Sequence, residues 1–180
     1  MKTAIKTFSP AVLAMLMILP TTSQASTIDV IAGSQLMVKT SVAEVIGVRE
    51  IESGNWEQGI RKSKAALARN STISLRKPLL DNLCVANLAI SNMEQANQYC
   101  NAAVNTGKAS VISYNNRAVM HYVMGDFKAS LEDLDEASSH GRFQNMVAGN
   151  LKIVKQQNIL SKNDGLTINQ YSPLLATTTR

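Results

Sequence analysis

The sequence predicts an all-α fold, a helical-hairpin repeat of about three hairpins followed by a C-terminal capping helix. Turn residues recur at Gly54, Ser91 and Gly125, which gives spacings of 37 (91 − 54) and 34 (125 − 91) residues. Between these turns, apolar residues recur at the three- and four-residue spacing of one helix face. Residues 115–137 are the clearest hairpin, because two such stretches flank a tight turn at Gly125-Asp126.

The first residues predict a secretory signal peptide over residues 1–25. Two lysines precede an apolar run from Ala11 to Leu19, and small residues then lead to Ala25, where we expect cleavage. The alternative is a membrane anchor, but a spanning helix needs about 20 apolar residues and this run is shorter. No later stretch is long and apolar enough to span a bilayer. We therefore expect a periplasmic or secreted protein.

Residues 26–40 form an N-terminal arm without a clear period, so a short helix, an extended arm and disorder all stay open. The repeat domain is expected over residues 41–160. Its first hairpin, residues 41–69, is predicted to begin at Ser41, since Ser41 and Glu44 form a capping-box pattern.

A loop is predicted over residues 70–77, because Pro78 suits the first position of a helix. The second and third hairpins follow over residues 78–106 and 111–139. After them, the sequence predicts the capping helix at residues 143–160 and an irregular tail at residues 161–180.

The two cysteines predict a structural disulfide. Cys84 and Cys100 each lie eight residues from Asn92 (92 − 84 and 100 − 92), which with Gln95 repeats the capping pattern at the turn. In an antiparallel hairpin the two cysteines therefore stand at the same height, and an oxidising compartment favours their bond. The alternative is a pair of buried free thiols.

Small residues, turn residues and aromatics recur at matching places in the three hairpins. In the first unit these are Gly47, Gly54, Trp56, Gly59 and Ala66; in the second, Cys84, Ser91, Met93, Ala96 and Ala103; in the third, Ala118, Gly125, Phe127 and Ala137. The pattern resembles the tetratricopeptide repeat (TPR) family over residues 41–139, here in a small secreted protein of a Gram-negative bacterium. The alternative is an ordinary antiparallel helical bundle.

The resemblance implies an α-solenoid whose first helices line a concave groove. By helical phase, the partner-binding groove would contain Glu44, Val48, Ile51, Asp81, Val85, Leu88, Asn115, Val119 and Tyr122. This mostly apolar lining predicts binding of a peptide or an amphipathic helix from an unidentified protein. The alternative is a structural or self-associating envelope protein, whose groove is filled by its own arm or last helix.

The sequence offers no catalytic, cofactor or metal-ligand pattern, so we expect a non-enzymatic protein. The only histidines, His121 and His140, have no second ligand at a metal-binding spacing. Loss of Lys2 and Lys6 with the signal peptide lowers the formal charge from +5 to +3, too small a surplus for a nucleic-acid partner.

Charge is uneven along the sequence. Residues 61–77 carry basic residues without an acid, whereas acids crowd residues 132–136. Such runs usually form solvated faces. The alternative is that a basic end meets an acidic end between copies, so the sequence leaves a homo-oligomer open.

Overall fold

A computed structural model describes residues 28–29, 36–41, 44–69 and 72–163. The all-α class is confirmed, since seven helices follow one another in the described residues: α1 (Val48–Glu52), α2 (Trp56–Arg69), α3 (Ile73–Ala89), α4 (Met93–Asn105), α5 (Val111–Val123), α6 (Phe127–Ser138) and α7 (Gln144–Asn163). The predicted signal peptide and residues 164–180 of the predicted tail lie outside the described residues.

Two short strands precede the helices. β1 (Ile28–Asp29) pairs antiparallel with β2 (Met37–Val38), with Ile28 opposite Val38 and Asp29 opposite Met37. Of the three possibilities that the sequence leaves open for the N-terminal arm, the described residues therefore take the extended one.

The helices pack as successive hairpins, α1 with α2, α3 with α4 and α5 with α6, and α7 packs on α6. The odd-numbered helices also contact one another in order, so they form an inner row, while α2, α4 and α6 lie outside it. Strand β2 contacts α5 and α7 of the inner row. The N-terminal arm thus meets the helices on their inner side.

The three predicted turns share a left-handed residue. Gly54 and Gly125 both have a φ of 80°, and Ser91 has a φ of 57° in the equivalent place. Glycine reaches this region without a steric penalty, whereas serine does not. At the second turn, the Asn92 side chain accepts a hydrogen bond from the backbone N–H of Gln95, as the capping pattern predicts.

The predicted disulfide is confirmed. Cys84 in α3 and Cys100 in α4 are bonded, their Cα atoms are 4.8 Å apart, and both side chains are fully buried. Ala96 and Ala103, which lie one turn before and one turn after Cys100 in α4, are also buried, and side chains of this size allow two helices to approach closely.

The predicted start of the first helix is wrong. The capping-box pattern places it after Ser41, but α1 begins at Val48, and its N-cap is Gly47 with a φ of 92°. The Ser41 backbone N–H donates to Asn82 Oδ1 at 2.8 Å, so Ser41 belongs to the extended arm. A tertiary contact here overrides the local signal.

The predicted loop over residues 70–77 is also wrong from Ile73 onwards, because α3 begins there and contains Pro78 in its interior. Proline cannot donate to the carbonyl four residues earlier, which is that of Ser74. Ser74 is exposed, so water can donate to its carbonyl in place of the missing N–H. At the other end of the chain, α7 runs three residues past the predicted end at residue 160.

The first hairpin closes on two glycines. A Cβ built on Gly59 would lie 2.4 Å from Ile51 Cγ1, and one built on Gly47 would lie 2.2 Å from Ser63 Oγ. Real Cβ atoms do not approach so closely. The packing of α1 on α2 therefore depends on the absence of both side chains.

Candidate functional site

Residues 36–41, here called the buried segment, lie in extended form against the inner row of helices. Their alternate side chains point into the core: Leu36 is 1% exposed, Val38 is 2% exposed and Thr40 is 3% exposed. Met37 and Lys39 between them are only half-buried. Alternation of this kind is typical of a strand with one face on a core.

Asparagine side chains hold the backbone of the buried segment. Asn150 of α7 accepts from Met37 N at 2.8 Å and donates to Met37 O at 2.7 Å. Asn116 of α5 does the same for Lys39, with distances of 3.0 Å from Lys39 N to Asn116 Oδ1 and 2.8 Å from Asn116 Nδ2 to Lys39 O.

A third asparagine makes half of the same contact. Asn82 of α3 accepts from Ser41 N at 2.8 Å. The three asparagines, here called the asparagine ladder, are spaced by 34 residues each time (116 − 82 and 150 − 116), and all three are fully buried. Each step of one hairpin along the helices thus corresponds to a step of two residues along the buried segment.

The chemistry of the ladder is that of a neighbouring strand. An asparagine amide carries one acceptor and two donor hydrogens, so it can pair with both backbone groups of a residue. The backbone groups are the same whatever the residue type. The buried sites that hold Leu36, Val38 and Thr40, by contrast, each fit a particular kind of side chain. The ladder therefore holds the backbone of the buried segment, and the alternate side chains of the segment pack into the core.

Two further contacts fix the ladder and the buried segment. Asn115 Nδ2 donates to Met37 O at 2.9 Å, and Asn115 Oδ1 accepts from Asn150 Nδ2 at 2.8 Å. Thr40 Oγ1 donates to Glu52 Oε1 of α1 at 2.6 Å. The hydroxyl of residue 40 is therefore recognised by its chemistry and not only by its size.

Three buried polar atoms at the α3 end of the ladder have no hydrogen-bond partner among the described residues: Ser41 Oγ, Asp81 Oδ1 and Asn82 Nδ2. By comparison with Asn116 and Asn150, Asn82 Nδ2 is the donor that would pair with the carbonyl of residue 41. The third rung of the ladder is thus incomplete.

Asp81 is 3% exposed and lies next to Asn82 in α3. Burial raises the pKa of its carboxyl from 3.8 to about 7, although the hydrogen bond from Ser113 Oγ to Oδ2, at 3.2 Å, and the charge of Lys77 both lower it. Burial also lowers the pKa of Lys77. The site therefore contains a carboxyl that exchanges its proton near neutral pH.

The nine residues predicted to line the groove are placed in three ways. Asn115 touches the buried segment, and Asp81 lies beside the incomplete rung. Glu44 is exposed, while Tyr122 is half-buried against Phe127 with a ring-centroid distance of 5.4 Å. The aliphatic five are core residues with at most 2% exposure: Val48, Ile51, Val85, Leu88 and Val119.

Sequence reasoning missed the residues that hold the segment, namely the asparagine ladder and Glu52. A signal was present, because Asn82, Asn116 and Asn150 are identical residues at two successive intervals of 34. Polar residues on a helix normally mark the solvated face, and for that reason asparagines draw little attention in a search for a core-facing site.

A separate charged cluster lies between α5 and α6. Arg117 donates to Asp133 through Nε at 2.8 Å and through the terminal nitrogen at 2.6 Å, and His121 Nε2 is 3.8 Å from the same carboxylate. The hydrogen bonds from Arg117 to Asp133 raise the pKa of the Arg117 guanidinium. Bidentate pairing of this type fixes two helices together.

Within the described ranges, no group of three histidine, cysteine or acidic side chains is arranged to hold a metal ion. Nor does any helix in the part of the chain that the structure describes have the length and apolarity to cross a membrane. Comparison of the chain with known protein families, with characterised proteins and with solved structures found no match.

Proposed function

We propose that this chain is a non-enzymatic protein-interaction module of the TPR type, in the periplasm or secreted, whose groove holds an extended peptide segment by its backbone. The asparagine ladder carries the proposal, because its three rungs stand at the 34-residue interval of that family and fit a two-residue strand repeat. The buried segment would be a resident occupant of this groove.

The secreted or periplasmic location is supported by the Cys84–Cys100 disulfide, since such bonds persist in oxidising compartments. The TPR-type solenoid is supported by successive hairpins with an inner row of helices. An extended ligand is favoured over an amphipathic helix, because a helix has no free backbone N–H groups along its length for the ladder to bind.

A structural role is the second candidate, and the burial of the resident segment favours it. Leu36, Val38 and Thr40 are as inaccessible as the rest of the core. In that reading, the segment is a permanent part of an envelope protein and no partner replaces it.

The test weakens the resident segment in the full chain and offers a peptide in its place. Val38→Asp puts a charge at a buried position, so the segment should leave the groove. Lys39→Asp is the matched control, since Lys39 is half-buried. A fluorescent peptide of sequence SQLMVKTS, residues 34–41, should bind the Val38→Asp chain and raise its melting temperature.

The unaltered chain and the Lys39→Asp chain should bind this peptide far more weakly, because their own segment competes. A peptide with Asp at the Val38 position should not bind any of them. If the Val38→Asp chain melts lower but no peptide binds or stabilises it, the groove is a structural feature and the interaction module is rejected.

A further inference from the structure

We infer that the groove is built for a segment of another protein, which carries aliphatic side chains at its first and third positions and a threonine hydroxyl at its fifth. The sixth residue of that segment would complete the third rung, which the chain's own segment leaves half-made. This inference rests on the proposed function and specifies the partner.

The unpartnered atoms of the third rung carry the inference. Asn82 Nδ2 is buried without an acceptor, although the equivalent atoms of Asn116 and Asn150 donate to the carbonyls of Lys39 and Met37. Buried donors without partners are rare in folded proteins because each one lowers stability. The neighbouring Asp81 Oδ1 is an unpartnered acceptor, so this end of the groove presents both kinds of group.

The chain's own connectivity accounts for the incomplete rung. Thr40 is hydrogen-bonded to Glu52 of α1, and α1 itself begins at Val48, seven residues after Ser41. The segment is therefore tied to α1 on both sides of Ser41, through the Thr40 side chain and through the chain itself. A segment from another protein is free of this constraint and can continue straight along α3.

The buried segment is also held by contacts that a segment of another protein could make in its place. Its polar anchors are neutral hydrogen bonds to asparagines and one hydrogen bond to Glu52, and no salt bridge joins it to the helices in the described residues. The charged side chain of the segment itself, Lys39, has its Nζ above the Phe143 ring, at 5.5 Å from the centroid. Among the described residues, the strand pairing of the segment is with the two residues of β1.

Partner chemistry follows from the pockets. The first and third positions replace Leu36 and Val38, whose sites are fully buried, so charged or strongly polar side chains are excluded there. The fifth position replaces Thr40, whose hydroxyl donates to Glu52 Oε1. The second and fourth positions replace Met37 and Lys39, which are half-buried, so their identity matters less.

The experiment compares two peptides on the full chain carrying Val38→Asp. The peptide SQLMVKT with a C-terminal amide supplies the N–H for Asn82 Oδ1 but ends before the carbonyl of the sixth position. The peptide SQLMVKTA with a C-terminal amide adds that carbonyl, and alanine avoids any effect of a serine hydroxyl. We expect the longer peptide to bind about tenfold more tightly, since it satisfies a buried donor.

Asn82→Leu added to the Val38→Asp chain is the groove control. Leucine has a similar size and no donor, so the two peptides should bind it equally. The unaltered chain, measured in parallel, should bind both peptides more weakly but keep their ratio, which guards against misfolding of the variants.

The outcomes separate the two proposals. Equal affinity of the two peptides for the Val38→Asp chain would overturn this inference and leave the proposed function standing, whereas no binding of either would overturn the proposed function itself. Sedimentation of the unaltered chain adds a third outcome. A concentration-dependent dimer that either peptide dissociates would assign the groove to the arm of a second copy and overturn the separate partner.

Discussion

Replacing Asp81 by asparagine should stabilise the protein at alkaline pH and leave it unchanged at acidic pH. The carboxyl is buried in the folded chain, where its pKa is raised from 3.8 to about 7, chiefly by burial. Between these two pH values the folded state binds a proton that the unfolded state has released. The free energy of unfolding therefore falls as pH rises from about 4 to about 7, and the loss is complete above that range.

The magnitude follows from the same two values. Their difference corresponds to about 4 kcal/mol, at 1.36 kcal/mol for each pKa unit. Asparagine has nearly the same shape and no charge, so Asp81→Asn should gain up to about 4 kcal/mol at pH 8 and nothing near pH 4.

Urea unfolding followed by circular dichroism at pH 4 and pH 8 measures the difference between variant and unaltered chain. Using this difference cancels the titration of the other acids. Asp135→Asn is the control, because Asp135 is exposed in α6 and its loss of charge should change stability by less than about 0.5 kcal/mol at either pH. An Asp81→Asn chain that is less stable at pH 8, or equally shifted at both pH values, would refute the reasoning.

Three other perturbations have expected outcomes. Cys84→Ala with Cys100→Ala should lower the free energy of unfolding by about 3 kcal/mol, since the bond closes a loop with a sequence separation of 16, and mass spectrometry of the non-reduced chain should find no alkylatable thiol. Gly59→Ala should lower the free energy of unfolding by about 1 to 3 kcal/mol in thermal unfolding, through overpacking against Ile51. Gly149→Ala is the control, because its new Cβ would meet only the end of the Met37 side chain, and it should be neutral or stabilising. Equal effects of the two substitutions would contradict the close packing of α1 on α2. Asn116→Leu leaves the backbone N–H and C=O of Lys39 without partners, so it should lower the free energy of unfolding by about 2 to 4 kcal/mol and speed amide hydrogen exchange at Lys39. Asn145→Leu, at an exposed position, is the control and should do neither. Unchanged exchange at Lys39 in the Asn116→Leu chain would contradict the ladder.

The sequence predicts the hairpins well, because their signals are local. Turns at Gly54, Ser91 and Gly125 need a left-handed residue or a cap within a few positions, and apolar periodicity marks the helices between them. The disulfide is equally accessible to prediction, since an antiparallel hairpin places positions at equal distance from the turn side by side.

The errors occur where a distant part of the chain decides the local structure. Ser41 and Glu44 form a capping pattern, but the Ser41 N–H is taken by Asn82, 41 residues away. The buried segment itself is too short to show a period. Its asparagine partners are separated from it by between 41 and 113 residues, so no short window of the sequence contains both sides of these contacts. The start of α3 is predicted wrongly for a different reason. Pro78 lies inside the helix, and the carbonyl that loses its hydrogen bond belongs to Ser74, an exposed residue.

The rung spacing has a consequence for the register of the segment that the ladder holds. Because the rungs bind backbone N–H and C=O groups and not side chains, a segment displaced by two residues would find the same hydrogen-bonding groups as before. The ladder alone therefore cannot fix which residue of the bound segment faces which helix. The register must therefore be set by the buried sites of Leu36, Val38 and Thr40 and by the Glu52 carboxylate, which accepts a hydrogen bond from the Thr40 hydroxyl. The hydrogen bond to Glu52 thus helps to fix the register of the strand on the ladder.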